Sequence, residues 1–153
     1  VDGELWVKGS SVMQGYYKMP DETKETLSDG WLKTGDLGYV DEEGFVFLTG
    51  RKKNLIITKN GENVSPEELE NKLGESRLVQ EVLVRECDGV IEAEIFPSEE
   101  YVKKKHIKDI KSALQKLIDD YNQSAPLHKR IYRLKVREQE FEKTTSRKIK
   151  RQQ

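Results

Sequence analysis

The chain has 153 residues, a formal net charge of −1, and 36% charged against 35% hydrophobic side chains, which fits one small domain with or without part of another. Its single cysteine, Cys87, excludes an intramolecular disulfide and a cysteine-based zinc site, suits a reducing cytosol, and leads us to expect a cytoplasmic protein. No apolar run approaches the roughly 20 residues that a membrane-spanning helix needs, and two histidines give no basis for a histidine-rich metal centre.

Charge and glycine content divide the chain near Gly50. Residues 1–50 carry 4 basic against 10 acidic side chains and 8 of the 11 glycines, whereas residues 51–153 carry 23 basic against 18 acidic side chains. Short apolar runs between Gly- and Asp-containing turns are typical of β structure. We therefore predict a β-rich segment over 1–50 and a second domain over 51–153. Because the chain starts at Val1 with no apolar leader, we expect a fragment of a longer protein.

In the first region, the sequence predicts strands at Glu4–Val7 and Phe45–Leu48, with Asp41–Gly44 as the turn that leads into the second strand. A short helix is predicted from Asp21 to Leu27. Asp21 is its expected N-cap, because a carboxylate there can accept hydrogen bonds from the free amides of the first turn.

The second region begins with a predicted hairpin and a helix. Strands at Leu55–Thr58 and Glu62–Val64 flank Lys59–Gly61, and the Asn-Gly pair in that turn tolerates positive φ. Ser65–Glu68 has the pattern of a capping box with proline at the first helical position, and Gly74 is expected to end this helix.

Three further elements are predicted downstream. Glu81–Cys87 and Val90–Phe96 form a hairpin across Asp88–Gly89, in which alternate side chains face opposite sides of the sheet. Apolar residues at helical spacing over 107–121 predict one amphipathic helix, and alternation over Tyr132–Val136 predicts a last strand. The predicted fold class is α+β: a small C-terminal domain with a mostly antiparallel sheet and flanking helices, preceded by β-rich structure.

Three polar clusters have two or more interpretations each. Thr34–Asp36 could be a simple turn, or a carboxylate on a glycine turn that accepts hydrogen bonds from two vicinal ribose hydroxyls. Gly50–Lys53 could be a solvated charge run, or could present an arginine to ribose or phosphate oxygens. The basic residues of 143–151 could form a solvated tail, a weak nucleic-acid patch, or a lysine that supplies positive charge to a phosphoryl transition state.

Taken in order, these segments resemble the adenylate-forming enzyme superfamily and, within it, the acyl-CoA synthetases for medium or long fatty acids. The resemblance is carried by five stretches that span nearly the whole chain: GELWVKG with GYY, GWLKTGDLG, GFVFLTGRKK, GENVSPEELE, and KTTSRKIKR. It implies a ligase in which ATP and a carboxylic acid give an acyl-adenylate and pyrophosphate, and coenzyme A then displaces AMP. ATP, Mg²⁺ and coenzyme A are the implied cofactors and substrates of the full-length enzyme.

The resemblance also assigns roles to particular residues. Asp36 is implied to hold the ribose hydroxyls, and Arg51 to contact the nucleotide near the ribose. Lys53 occupies the hinge position about which the small domain rotates between the two half-reactions. Lys148 is implied to be the adenylation lysine, which reaches the carboxylate oxygen and the α-phosphate. The loop expected to help form the pantetheine tunnel consists of Lys59, Asn60, Gly61 and Glu62.

The sequence departs from the family pattern at two positions, and part of the family's machinery is not in it. Arg147 stands where a glycine commonly precedes the lysine, and Glu142 stands where a proline is usual. The phosphate loop, the adenine site and most of the acid pocket would lie upstream. We therefore expect the fragment alone to be inactive and to bind ATP or AMP no better than about millimolar, because a few exposed contacts cannot offset the cost of association.

Two alternatives remain open at this stage. Within the enzymes, the parent could be an aryl- or short-chain acyl-CoA ligase, or an adenylating relative with another acceptor. From another class, the chain could be a stand-alone basic binding module, although its near-neutral charge and the lack of an aromatic platform beside the tail favour small-molecule substrates over nucleic acid. We expect at most peripheral membrane contact by the parent and no metal site in this chain.

Overall fold

The computed structural model describes residues 3–151, so the outermost residues of both predicted regions (1–2 and 152–153) lie outside the described part. The chain divides into two compact units, Val1–Leu55 and Ile56–Gln153. This boundary lies five residues beyond the one that composition indicated. The reason is that the last strand of the first unit runs on through Arg51, and a 3-10 turn, Lys52–Asn54, continues directly from it.

The first unit is a four-stranded antiparallel sheet built around one long strand. Its elements are β1 (Gly3–Val7), α1 (Pro20–Thr26), β2 (Leu27–Ser28), β3 (Trp31–Val40) and β4 (Val46–Arg51). β3 pairs with β1 along one edge and with β2 and β4 along the other. The predicted turn before β4 is confirmed, because the Asp41 amide donates to the Phe45 carbonyl and the Gly44 amide to the Asp41 carbonyl.

Two features of this unit differ from the sequence prediction. β3 was not predicted, and Thr34–Asp36 lies within that strand rather than in a turn. Helix α1 begins at Pro20 with Met19 as its N-cap, and no side chain caps it, so the assignment of Asp21 as N-cap was wrong. Proline takes the first helical position because its fixed φ suits it and its missing amide is not needed there, which moves Asp21 into the first turn.

Gly38 is the one buried residue in the described part of the first unit. It follows an irregularity in the pairing of β3 with β4, and a Cβ at this position would collide with the backbone carbonyl oxygen of Phe47. Only glycine therefore allows the two strands to approach this closely.

The second unit is an α+β domain, which confirms the predicted fold class. Its elements are β5 (Ile56–Ile57), β6 (Asn63–Val64), α2 (Pro66–Gly74), β7 (Val79–Cys87), β8 (Val90–Pro97), α3 (Glu99–Lys104), α4 (Ile110–Ser124) and β9 (Arg133–Val136). β5 and β6 form the predicted hairpin, with Gly61 at φ +79° in its turn. The main sheet has the order β7-β8-β9, in which β7 and β8 are antiparallel and β8 and β9 are parallel.

Helices α2 and α4 share a core with one face of this sheet. The alternation along β8 places Ile91, Ala93 and Ile95 on that face, where each is at most 4% exposed. Leu69 and Leu73 of α2 and Leu114 and Ile118 of α4 are the helical members of the same core. Burial of each large aliphatic side chain stabilises the fold by about 2 kcal/mol, so this core accounts for much of the unit's stability.

The helix termini correct the sequence prediction in two places. Ser65 is the N-cap of α2, but its hydroxyl donates to the Glu67 carboxylate (3.1 Å), and the Glu68 carboxylate pairs with Lys129 (2.8 Å), so no capping box forms. Helix α4 starts at Ile110, after Asp109 caps it through the Ser112 amide at 2.9 Å, and the predicted start at 107 was too early. Helix α3 was not predicted. None of the helices in residues 3–151 is long and apolar enough to span a membrane.

Candidate functional site

In the first unit, Asp36 and Arg51 are directly opposite each other on β3 and β4. The Arg51 Nε lies 2.7 Å from Asp36 Oδ1, and the two side chains are 50% and 28% exposed, respectively. The fold thus brings together the two residues predicted to contact a nucleotide, although they are 15 positions apart. The result is a partly exposed carboxylate with a guanidinium beside it. The carboxylate can accept hydrogen bonds from a ligand, and the guanidinium can donate them.

A second ion pair lies beside the first. Glu4 of β1 accepts a hydrogen bond from the Gly35 amide (3.2 Å) and pairs with Lys52 (3.1 Å). Burial on its own would raise the pKa of Glu4, but hydrogen bonds from Lys52, Trp6 and Gly35 and the charge of Lys52 hold that pKa below its usual value. An ionised Glu4 therefore ties β1 to the residue that precedes Asp36.

The backbone around Asp36 is fixed by short polar contacts. The Thr34 hydroxyl donates to the Leu5 carbonyl at 2.8 Å and accepts from the Asp36 amide at 3.0 Å. Gly35 has φ +72°, in the left-handed region that glycine adopts without strain. These contacts fix the backbone at Asp36. The carboxylate therefore projects from a paired strand and not from a flexible loop.

Lys53, the predicted hinge residue, lies in the 3-10 turn between β4 and the unit boundary. Its side chain is exposed, and the turn is closed by the Leu55 amide, which donates to the Lys52 carbonyl at 3.4 Å. Only two residues separate Lys53 from the point where the compact units divide.

In the second unit, the predicted tunnel loop is the β5–β6 turn, in which Lys59, Asn60 and Glu62 are exposed. The turn is closed by the Thr58 amide, which donates to the Glu62 carbonyl, and by the Gly61 amide, which donates to the Thr58 carbonyl, both at 2.9 Å. The Glu62 carboxylate lies 3.4 Å from His128 Nδ1. A cleft of about 290 Å³ opens beside the loop, and its lining includes Lys59, Glu62, His128, Arg130 and Tyr132.

Lys148 lies in a short hairpin at the C-terminal end of the described chain. A bridge between Lys143 and Ile149 closes the hairpin, and the Thr144 amide donates to the Lys148 carbonyl at 2.8 Å. The Lys148 amide in turn donates to the Thr144 hydroxyl at 3.2 Å. The Lys148 side chain is exposed, and no carboxylate of residues 3–151 lies within ion-pair distance of its ammonium group.

The residue before Lys148 has an unusual backbone conformation. Arg147 has φ +60°, in the left-handed region that a side chain with a Cβ disfavours. A glycine would adopt this conformation without strain. The hairpin therefore keeps a glycine-like turn at this position despite the arginine.

The other two lysines of the hairpin, Lys143 and Lys150, have carboxylate partners. Lys143 pairs with Glu81 (2.5 Å) and Glu140 (2.8 Å), and hydrogen bonds from its ammonium to Glu140 and Glu81 raise its pKa. Lys150 lies 3.6 Å from Glu142. Lys143 is therefore bound to the folded domain and is not a solvated tail charge, which sets it apart from Lys148.

One ion pair of this region, between Glu70 and Arg151, was not indicated by the sequence. Glu70 of α2 lies 2.5 Å from Arg151, and it also accepts a hydrogen bond from the Val84 amide at 2.7 Å. In the structure, residues 148 and 150 are exposed, whereas 149 and 151 are half-buried. A period of two indicates an extended segment with one inward face.

The sheet face opposite the main core carries a buried carboxylate that the sequence did not reveal. Glu94 is 2% exposed and contacts three cations, Arg85 (3.0 Å), Lys135 (3.0 Å) and Arg137 (2.8 Å). Burial alone would raise its pKa, but the hydrogen bonds and charges of these cations lower it overall. Within residues 3–151, no group of three His, Cys, Asp or Glu side chains is arranged to hold a metal ion.

A family model described as "AMP-binding enzyme C-terminal domain" matches residues 53–153. Among curated proteins, a long-chain-fatty-acid–CoA ligase of Bacillus subtilis (strain 168) is 51% identical over 82 residues, which are 54% of this chain and 14% of the relative. A 2-succinylbenzoate–CoA ligase of Bacillus cytotoxicus is 52% identical over 81 residues, 53% of this chain and 17% of the relative. These alignments thus cover less than a fifth of each relative's length.

Among solved structures, o-succinylbenzoate CoA synthetase from Bacillus subtilis, in complex with an acyl-adenylate intermediate, superimposes with a TM-score of 0.79 at 30% identity. The match covers 97% of this chain and 29% of that one. A further structure of the same enzyme, with ATP and a magnesium ion, matches with a TM-score of 0.73 over the same shares of both chains. Both units of the present chain therefore have counterparts in a single longer protein.

Proposed function

The chain belongs to the family of AMP-binding enzyme C-terminal domains, within the adenylate-forming superfamily, and from this membership we propose that it is the C-terminal part of an ATP-dependent acid–CoA ligase. The parent would join a carboxylic acid to AMP and then transfer the acyl group to coenzyme A. The part of that reaction assigned to this chain is the supply of the adenylation lysine and of the hinge between the two half-reactions.

The observation that carries the proposal is the contrast between Lys148 and two of its basic neighbours, Lys143 and Arg151. Lys143 and Arg151 are tied to carboxylates of the folded domain, whereas the Lys148 ammonium is exposed on a closed hairpin. Adenylation brings the acid carboxylate against the α-phosphate, and charge accumulates on the phosphoryl oxygens in the transition state. An ammonium carried on a closed hairpin, with no competing carboxylate in residues 3–151, lowers that repulsion.

The nucleotide contacts are proposed from the Asp36–Arg51 pair. A ribose presents two vicinal hydroxyls, and a partly exposed carboxylate can accept a hydrogen bond from each of them. Arg51 orients the Asp36 carboxylate, and its own half-exposed guanidinium can reach ribose or phosphate oxygens. Mg²⁺ would arrive with ATP, and residues 3–151 provide no cluster of ligands to hold it in its absence.

We assign the alternation between half-reactions to the segment at Lys53. Rotation there would remove Lys148 after adenylation and bring the Lys59–Glu62 loop, with its neighbouring cleft, toward the incoming pantetheine thiol. Domain rotations of this kind occur on microsecond to millisecond timescales and often limit turnover.

The acid is proposed to be a medium- or long-chain fatty acid. The support is the motif series and the similarity to a fatty-acid ligase. The similarity to 2-succinylbenzoate ligases favours an aryl-substituted acid as the second candidate. Because most of the acid pocket would lie outside this chain, a direct comparison of fatty and aryl acids as substrates of the full-length parent decides between them.

The test of the main proposal is Lys148→Ala in the full-length parent. Acyl-adenylate formation, measured as acid-dependent pyrophosphate release, is expected to slow by roughly 10²–10³-fold, which is the scale for one preorganised charge contact. Thioester formation from supplied acyl-adenylate is expected to be nearly unchanged. Lys150→Ala is the matched control, because Lys150 is exposed and its contact with Glu142 is long. Equal damage to both half-reactions would contradict the assignment.

The rival hypothesis of a basic binding module has its own test. Nucleic-acid binding through the tail would weaken steeply with salt, because each neutralised phosphate releases counterions. A salt-dependent mobility shift with DNA or RNA would support the module, whereas no shift at low salt is the expected result.

A further inference from the structure

The hairpin that carries Lys148 is held to the domain through its incoming arm. The Phe141 amide donates to Glu81 at 2.8 Å, and the Lys143 ammonium reaches the other oxygen of the same carboxylate at 2.5 Å. Phe141 also packs against Leu83 and Phe96 on the sheet face opposite the main core. One carboxylate at the start of β7 thus fixes two points of this arm.

The outgoing arm is held separately, three residues after Lys148. The Arg151 guanidinium donates to the Val84 carbonyl at 3.2 Å and to Glu70 at 2.5 Å, and a longer contact of 3.5 Å reaches Glu67. Glu70 in turn accepts from the Val84 amide at 2.7 Å. Arg151 and Glu70 together satisfy both backbone groups of Val84 on the edge strand of the sheet.

Alternation along the extended arm links this anchor to the lysine. Ile149 packs against the cluster that contains Phe141, and both Ile149 and Arg151 are half-buried, whereas Lys148 and Lys150 are exposed. Side chains of an extended segment point to opposite sides in turn. Fixing Ile149 and Arg151 inward therefore directs Lys148 outward and prevents a one-residue slip that would exchange the two faces.

The Glu70–Arg151 pair lies in a partly desolvated position. The side chains are 15% and 28% exposed, and burial raises the pKa of Glu70 while Val84 and Arg151 oppose that rise. An ion pair in such a position is weak evidence for stability but can fix one geometry. Here the geometry that it fixes is the register of the arm that carries Lys148.

We propose that Glu70 and Arg151 are positioning residues for Lys148, acting through the register of the Lys148–Arg151 arm. The inference rests on the proposed function for its catalytic consequence. The lysine side chain is long and flexible, so its ammonium is placed reproducibly only if its backbone is fixed. A displacement of about 1 Å at a catalytic group can cost on the order of 10²-fold in rate.

The catalytic test is a double-mutant cycle in the full-length parent. Arg151→Ala is expected to slow acyl-adenylate formation by roughly 10–100-fold and to leave thioester formation from supplied acyl-adenylate nearly unchanged. In a Lys148→Ala background, Arg151→Ala is expected to cost nothing further, because no ammonium remains to be positioned. Additive losses in the double variant would overturn the proposal.

Three further variants separate positioning from general damage. Arg151→Lys keeps a positive charge for Glu70, so its adenylation rate should be higher than that of Arg151→Ala. It should remain below that of the unsubstituted enzyme, because an ammonium cannot reproduce the guanidinium's contacts with both Glu70 and the Val84 carbonyl. Glu70→Gln should resemble Arg151→Ala in affecting adenylation alone. Lys150→Ala, the outward-facing neighbour, should change the rate less than about 2-fold. If Arg151→Ala does not fold, Arg151→Lys and Glu70→Gln carry the test, and full activity of both would overturn the proposal.

A measurement on the present chain tests the anchor independently of catalysis. Arg151→Ala should speed hydrogen exchange at the hairpin amides of Thr144, Lys148 and Lys150, which are hydrogen-bonded in the intact hairpin, and leave the amides of α4 protected. Unchanged exchange in the hairpin would refute the anchor. A rate unaffected by Lys148→Ala would instead refute the proposed function, so the two failures are distinguishable.

Discussion

The two units of the chain differ most in what they bury. Among residues 3–151, Gly38 is the one buried residue of the first unit, and twelve of the fifteen exposed large hydrophobic side chains belong to this unit. The second unit buries a continuous core of aliphatic side chains from its sheet and two helices. Both units have well-paired strands, so backbone pairing alone does not distinguish them.

The first unit shows that a sheet can have all its strands paired without a buried core of its own. Tyr39 and Phe47 stack across β3 and β4 with ring centroids 5.1 Å apart, yet both rings are more than 40% exposed. Exposed large apolar side chains in this number indicate a surface that interacts with other groups. This agrees with the proposal that the first unit belongs to a larger domain, and it predicts that the two units respond differently to perturbation.

The largest effect that we expect is that the two units unfold in separate transitions. Both tryptophans, Trp6 and Trp31, lie in the first unit, whereas the longest helix, α4, lies in the second. Tryptophan fluorescence should therefore change at lower denaturant concentration than far-UV circular dichroism. Residues 56–153 alone should retain the second transition, and proteases should cut first between about residues 49 and 55. A single coincident transition and a resistant core spanning both units would contradict this.

Two side-chain truncations, one in each unit, test whether the second unit unfolds independently of the first. Leu69 is fully buried in the second unit, and Leu69→Ala should reduce the free energy of unfolding of that unit by about 3 kcal/mol through lost burial and a cavity. Phe47→Ala removes more atoms from the first unit but should leave the same transition unchanged within about 0.5 kcal/mol. The far-UV transition of each variant provides the measurement, and a large effect of Phe47→Ala on it would mean that the units are coupled.

The buried Glu94 distinguishes the second unit by pH as well. Its folded pKa is lowered, so the stability that it contributes is present above the unfolded pKa and is lost as pH falls through the folded pKa. Glu94→Gln leaves three partly exposed cations without their buried carboxylate and should cost about 2–3 kcal/mol at neutral pH. The cost should shrink as acid protonates Glu94 in the unsubstituted chain. Denaturant titrations at several pH values test this, and a cost independent of pH would argue against an ionised Glu94.

The smallest expected effect concerns the strained turn of the hairpin. Arg147→Gly should raise the stability of the second unit by about 0.5–1 kcal/mol, because glycine adopts φ +60° without the Cβ penalty. Thr145→Gly is the control, since residue 145 is outside the positive-φ set and should lose stability from added chain entropy. Equal responses of the two variants in denaturant titrations would show that the backbone conformation of Arg147 carries no strain.

Local signals in the sequence were sufficient for several elements. The Asn60–Gly61 turn, the proline that opens α2 and the hairpin across Asp88–Gly89 were predicted correctly, because each depends on the φ preferences of one or two residues. The alternation of β8 and the helical spacing of α4 likewise indicated the core face. The fold class followed from these elements without any knowledge of their pairing.

Only the tertiary structure decided which polar groups meet. Glu68 had the spacing of a capping-box residue, but Lys129, 61 positions away, takes its carboxylate. Asp36 and Arg51 become neighbours because β3 and β4 pair in that register. Glu70 and Glu81 engage Arg151 and Lys143, whereas the Lys148 ammonium has no carboxylate partner within residues 3–151. Propensity and periodicity act within a few residues, whereas charge pairing acts across space, so the sequence determined the elements and the residue types, and the packing of distant segments determined the partners.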